Sequence, residues 1–221
     1  MFVVVEGIDA AGKATQSRLL ADRMGADLYS FPDYGTTTGH LIKGHLTRMW
    51  SAQPVGTLED QSPADVAMIN ALVFQALQLT NRMEHATAIF DAEEEGKHVV
   101  ADRYWPSGWV YGQVDGLDPT WLLKIQERLP GADLHLLLDM DPKVSVKRRP
   151  LRRDRYEEHM GFMSRAAALY RRLWAEQSEE SDHWVVIDGG RTVDEVHSAI
   201  VAAVDDHVGR ILYPKINPWR A

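Results

Sequence analysis

The stretch VEGIDAAGKATQS, residues 5–17, constrains this chain more than any other. Gly7, Gly12 and Lys13 have the G-x-x-x-x-G-K spacing of a phosphate-binding loop. The run before it, FVVVE, is apolar up to its last residue, and the run after it, TQSRLLADRM, has helical periodicity. Strand, glycine loop and helix in that order is what the mechanism needs. Glycines let backbone N–H groups turn toward phosphate oxygens, the helix N-terminus adds partial positive charge, and Lys13 adds a full one. The next residue is ordinarily Ser or Thr, whose hydroxyl holds Mg2+; here it is Ala14, with Thr15 one place later. Mg2+ keeps several waters and needs only one or two carboxylates, so Asp9 and Asp102 are the candidate metal ligands.

Short apolar runs recur along the chain and alternate with longer segments of helical period. Strands are predicted at 2–6, 27–31, 98–102, 133–139 and 184–188, and four of them end in a carboxylate: Glu6, Asp102, Asp139 and Asp188. Continuous rather than alternating apolar residues predict strands buried on both faces, as in a parallel sheet. Helices are clearest at 13–24, 62–95 and 155–180. Val66, Ile69, Val73 and Leu77 form the apolar stripe of the second, with Gly96 as its stop, and Phe162, Ala166, Leu169 and Leu173 that of the third. The fold class is therefore α/β, with ligands expected outside the carboxyl ends of the strands. A length of 221 residues without a linker-like tract predicts one domain, over 1–208, with 209–221 as an extended tail.

The net charge of −8 argues against wholesale binding of nucleic acid, so a polyanionic ligand must meet a local basic patch. One exists in KRRPLRRDR, where Arg148, Arg149, Arg152, Arg153 and Arg155 include no acid before Asp154. No cysteine, no signal-like N-terminus and no membrane-length apolar run lead to the expectation of a soluble cytoplasmic protein without a membrane partner. In HVVADRYWPSGWVYGQ, Arg103 follows a strand directly, and beside a phosphate loop it would aim a guanidinium fork at a substrate phosphate.

These motifs, in this order, resemble the thymidylate kinase family of P-loop nucleoside monophosphate kinases. The carriers are Glu6 to Gln16, Phe31-Pro32-Asp33-Tyr34, Asn81-Arg82, Asp102-Arg103-Tyr104 with Ser107, and the arginine-rich run at 147–157, and the resemblance extends from residue 2 to about 208. It implies a three-layer fold with a five-stranded parallel sheet, helices on both faces and an arginine-rich lid. It also implies transfer of the γ-phosphoryl of ATP to dTMP with Mg2+, in a homodimer. Residue by residue, Gly7, Ile8, Asp9, Ala10, Ala11, Gly12, Lys13, Ala14 and Thr15 would bind ATP phosphates, and Arg148 would lie against adenine. Arg82 and Arg103 would grip the dTMP phosphate, Asp9 would sit between the 3′-hydroxyl and the phosphates, and Phe31 would line the nucleoside pocket. Ser107 and Gly108 would abut base or sugar, Tyr111 would favour deoxyribose, and Tyr156 would close over the substrate. Ala10 lies where some members carry an arginine, so Arg149, Arg152 or Arg153 is expected to supply transition-state charge. Gln78 replaces the usual Phe that stacks on thymine, with Phe74 one turn earlier. Two other readings accompany the first: a kinase of another or modified pyrimidine deoxynucleotide, raised by Gln78, and a non-catalytic nucleotide-binding protein, raised by Ala14.

Overall fold

The computed structural model describes residues 1–52, 62–148, 156–180 and 183–212. In chain order its elements are β1 (Phe2–Glu6), α1 (Lys13–Met24), β2 (Asp27–Ser30), α2 (Thr37–Leu46), α3 (Pro63–Met83), α4 (Ala86–Glu94), β3 (Val99–Asp102), α5 (Trp105–Val114), α6 (Pro119–Gln126), β4 (Leu134–Asp139), α7 (Pro142–Arg148), α8 (Tyr156–Glu180), β5 (Trp184–Asp188) and α9 (Val193–Leu212). Each expected strand forms within one residue of its expected bounds.

Three valines leave β1 no polar face, and all three are fully buried. β1 is accordingly the middle strand of a parallel sheet ordered β2-β3-β1-β4-β5, with Val3 in register beside Val99's neighbour Val100 and beside Leu134. Burial on both faces holds for β1, β3 and β4. It does not hold for the two edge strands: Asp27, Leu28 and Ser30 of β2 are exposed, and so are Val186 and Asp188 of β5. Alternate β1 side chains serve opposite faces. Val3 and Val5 pack in a core with Leu20 and Ala21 of α1 and Ile200 of α9, whereas Phe2 and Val4 join Ile89 of α4, Ala101 and Tyr104. Burying each such side chain contributes about 1.5–3 kcal/mol, so the strands that carry the site form a rigid base. All strands run the same way, so Glu6, Asp102, Asp139 and Asp188 end them on one edge of the sheet.

The helix expected over 62–95 is two helices. At the break, Glu84 accepts from Thr38 Oγ1 at 2.6 Å and His85 Nε2 lies 3.0 Å from Asp33 Oδ2, so both side chains turn to the segment after β2. Gly96 follows α4 in the left-handed conformation expected of a stop. The stripe Val66, Ile69, Val73 and Leu77 is only half-buried; the buried residues of α3 are Ala71, Gln75, Asn81 and Arg82, because its C-terminal turns serve the site. In α8, Met163, Ala166, Ala167, Tyr170 and Leu173 are buried, with Phe162 and Leu169 packed beside them. α9 continues to Leu212, four residues past the expected domain end at 208; residues 213–221 lie outside the described residues.

Candidate active site

The phosphate loop leaves β1 at Gly7, where φ is +143° and an added Cβ would lie 2.6 Å from the Leu138 carbonyl oxygen. Glycine alone lets the loop start against β4. α2, α3 and α6 open with side-chain caps from Thr36, Ser62 and Asp118, whereas α1, like α4 and α5, has none. Its first N–H groups face the loop without a side-chain acceptor at the N-cap, the arrangement that receives an anion. Ala10, Gly12, Lys13, Ala14, Thr15, Asp102 and Arg103 line a cavity of about 330 Å³. Ser145 Oγ of α7 donates to the Asp9 carbonyl at 2.6 Å and props the loop from behind. Arg148 at the end of α7 reaches the carbonyls of Ala10 at 3.3 Å and Gly189 at 3.5 Å.

Lys13 is 7% exposed, and its Nζ donates to the Ile8 carbonyl at 2.7 Å. Burial, followed by the nearby Arg103 charge, pushes its ammonium down to about 7, against the pull of Asp102, Asp9 and Glu6. A lysine so desolvated gains from an arriving phosphate. Asp102 shows the mirror effect: burial raises its carboxyl above the usual range, opposed by Lys13 and Arg103. Its Oδ1 is buried with no hydrogen-bond partner among the described residues.

Arg103 adopts a left-handed φ of 68°, which turns its side chain back over the loop. It pairs with Asp9 through Nη2, while Nη1 donates to Ser107 Oγ at 3.1 Å and the Gly7 carbonyl at 3.2 Å. Its guanidinium carbon stands 5.4 Å from the centre of the Tyr111 ring. Beneath it, Glu6 is fully buried and accepts from Tyr104 N at 2.7 Å, Ser107 N at 3.3 Å, Ser107 Oγ at 2.8 Å and Tyr170 Oη at 2.8 Å. A buried carboxylate needs that many donors. Burial and the Glu6 charge hold the Tyr170 phenol well above its ordinary range, so it remains a donor.

Arg82 is 2% exposed. Burial lowers it to about 10, so it stays charged at neutral pH. Its Nη1 donates to Gln126 Oε1 at 3.2 Å, and its Nε has no partner among the described residues. A buried cation with uncommitted donors is one that a phosphate would complete.

Of the expected site residues, Gly7 to Thr15, Asp102, Arg103, Ser107 and Tyr111 come together at the ends of β1 and β3. Gly108 adjoins Arg82, and Gln78 is half-buried one turn before it on α3. Phe74, one turn before Gln78, stacks on His45 with ring centres 4.8 Å apart and 24° between the planes. Phe31, expected to line the nucleoside pocket, is 3% exposed and packs against His85 and Tyr104 in the core under that side of the sheet. Arg149, Arg152 and Arg153 lie outside the described residues, as does the side chain of Tyr156. Sequence reasoning gave no role to Glu6, Asn81, Gln126 or Tyr170. A carboxylate closing a wholly apolar strand marked Glu6, and Tyr170 lies on the same helical face as Ala166 and Leu173. Gln126 carried no signal, because its contact is with a residue 44 positions away.

The sequence matches the thymidylate kinase family over residues 5–200. It is 33% identical over 210 residues to a probable thymidylate kinase of Pyrococcus abyssi, covering 92% of this chain and 95% of that one. It is 31% identical over 204 residues to the thymidylate kinase of Danio rerio, covering 90% and 86%. The fold superimposes on the solved thymidylate kinase of Candida albicans with a TM-score of 0.76 at 23% identity, over 94% of this chain and 92% of that one. The five-stranded parallel sheet, the uncapped loop helix and the match along nearly the whole length agree: this chain belongs to the thymidylate kinase family of P-loop kinases.

Proposed function

We propose that this chain transfers the γ-phosphoryl group of ATP to dTMP, giving ADP and dTDP. The observation that carries this reading is Arg103 at the wall of the loop cavity, tied to Asp9 and Ser107, together with the buried Arg82, whose Nε has no partner among the described residues. The loop N–H groups and Lys13 bind the donor phosphates, and Arg82 and Arg103 bind the acceptor phosphate. Asp9 bridges the two sides through Arg103 and Tyr111 supports Arg103 from below. Such a transfer is chiefly positioning and charge neutralisation. Asp102, whose Oδ1 at the cavity wall is buried with no hydrogen-bond partner among the described residues, and Asp9 would hold a Mg2+ ion despite Ala14. When bound, Mg2+ neutralises charge on the donor phosphates. Lid arginines, Arg149 and Arg153 foremost, supply the charge that Ala10 does not.

An ADP-release assay with dTMP, dUMP, 5-hydroxymethyl-dUMP, dCMP and dGMP tests the reading. Turnover is expected to be highest with dTMP. ATP binding without turnover of any acceptor at saturating Mg2+ overturns it. Gln78 favours one second reading, in which its amide meets a polar group at the pyrimidine 5-position; higher kcat/KM for 5-hydroxymethyl-dUMP would select that reading.

The same proposal includes a homodimer acting in the cytoplasm. Exposed Met68 and Leu72, one turn apart on α3, support a partner surface there. Among the described residues no helix is long and apolar enough to cross a membrane.

A further inference from the structure

The Arg103 guanidinium is held on its two sides by groups of different kind. Nη2 pairs with Asp9, whereas Nη1 faces the oxygens of Gly7 at 3.2 Å, Ser107 at 3.1 Å and Tyr170 at 3.5 Å. The backbone alone does not keep it there, because a left-handed φ of 68° is a strained state for a non-glycine residue and persists only where surrounding contacts fix it. Ser107 lies four positions along the chain, but Tyr170 comes from α8, 67 positions away. The next residue of α8, Arg171, sets where the phenol arrives. Its Nε donates to both carboxylate oxygens of Asp139 at the end of β4, each at 3.0 Å. Tyr170 itself is 2% exposed. Its Oη closes a triangle with Glu6 Oε2 at 2.8 Å and Ser107 Oγ at 2.9 Å, and Ser107 Oγ lies 2.8 Å from the same Glu6 oxygen.

The hydrogens of this triangle have one arrangement that serves Arg103 best. A guanidinium can only donate, and a carboxylate can only accept. When the Ser107 and Tyr170 hydroxyls both give their hydrogens to Glu6, both oxygens turn lone pairs toward Nη1. We propose that Tyr170 is a positioning residue for the acceptor phosphate: its phenol, oriented by Glu6, braces Ser107 and Nη1 so that the Arg103 guanidinium keeps one direction at the wall of the loop cavity. The inference rests on the acceptor-phosphate role given to Arg103 above. Asp9 already pairs with one side of the guanidinium, and two neutral hydroxyls hold the other side without adding a second directly paired carboxylate. A phenylalanine at position 170 would fill the same space. It would withdraw one donor from Glu6 and one oxygen from Ser107 and Nη1, so the ring alone cannot do this.

The test reads what the phosphate adds to binding, as the ratio of the dissociation constants of thymidine and dTMP measured by calorimetry without ATP. Native protein is compared with Tyr170→Phe and Arg103→Met. Both variants are expected to lower the ratio at least threefold, because dTMP loses affinity that thymidine never had. A merely structural role for Tyr170 would weaken both ligands alike and leave the ratio near native. A fall of less than threefold in Tyr170→Phe, beside the full fall in Arg103→Met, overturns the proposal and leaves the acceptor reading intact. A native ratio near one, or a ratio that Arg103→Met does not lower, overturns the acceptor reading and this inference with it. If a carboxylate short of one donor keeps Tyr170→Phe from folding, the double variant Glu6→Gln/Tyr170→Phe removes the buried charge as well. It is then compared with Glu6→Gln under the same threefold criterion.

Discussion

Asn81 and Asp33 exchange hydrogen bonds in both directions: Asn81 Oδ1 accepts from Asp33 N at 2.8 Å, and Asn81 Nδ2 donates to the Asp33 carbonyl at 3.1 Å. The same Nδ2 reaches Thr36 Oγ1 at 2.9 Å. Asn81 is fully buried, so it fastens the segment after β2 to the helix that carries Gln78 and Arg82. Asn81→Ala leaves the part-buried Asp33 N–H without its acceptor and the Asp33 carbonyl with only Thr36 Oγ1, at 3.3 Å, as its side-chain donor among the described residues, and is expected to cost about 1–3 kcal/mol of stability. Chemical denaturation measures it, and a loss below about 0.5 kcal/mol would contradict the role.

Lys13 links donor binding to pH. In the free protein its ammonium is held down at about 7, chiefly by burial. Phosphate oxygens favour the charged form, so ATP binding at pH 8 is expected to draw in a proton that Lys13→Met does not take up. Calorimetry in buffers of different ionisation enthalpy reads the difference. Equal uptake by native and variant would reject it. Lys13→Met is also expected to lower turnover on the order of 10²–10³-fold.

Stability carries the same signature. The folded lysine titrates lower than the unfolded one, so burying its charge destabilises the free fold in full below pH 7. The penalty fades as pH rises from 7 toward 10.5, where only the unfolded chain keeps the proton. Lys13→Met is therefore expected to raise Tm more at pH 6 than at pH 9.5, and a uniform change in Tm would count against it.

His135 supplies a separate acid response. It stacks on Trp184 at 4.1 Å and 13°, and burial, with a lesser push from His183, lowers it to about 3. The unfolded chain takes up the proton first, so stability falls as pH drops below about 6.5 and continues to fall to about 3. The contribution is at most about 1.4 kcal/mol per pH unit. His135→Phe is expected to flatten that part of the stability profile, and a His135 ring seen by NMR to titrate near 6.5 would refute the assignment.

Gln78 sets the remaining expectation. A phenylalanine there would offer a stacking face to the base, worth about 1 kcal/mol. Gln78→Phe is expected to raise kcat/KM for dTMP about fivefold over native. A fall for dTMP together with a lost preference for 5-hydroxymethyl-dUMP would show that the amide reads a polar base edge.

The sheet and the phosphate loop were legible because their causes are local. FVVVE has no polar face, and a glycine loop followed by a helical pattern has one chemical use. The split of α3 from α4 was not legible, because bonds from Glu84 and His85 to residues about 50 positions away lie behind it. The surroundings of Phe31 were not legible for a similar reason: a motif gives its place in the chain, but the packing of Tyr104 and His85 around it comes from residues distant in sequence. Gln126 and Tyr170 were invisible as site residues because their partners, Arg82 and Glu6, are distant in sequence and conceal their charge in the interior.

Gly7 and Gly12 belong to one motif, yet different forces exclude other residues at each. A Cβ on Gly7 meets the backbone of Leu138, and backbone in a central sheet cannot give way. Among the described residues nothing stands within 4 Å of a Cβ on Gly12, and there its φ of +95° is what restricts the position. In a saturation library sorted for folded protein rather than turnover, position 12 therefore admits Asn and Asp, the residues that visit the left-handed region most readily. Position 7 admits no replacement, which makes the junction of loop and sheet the fixed point about which the rest of this chain can diversify.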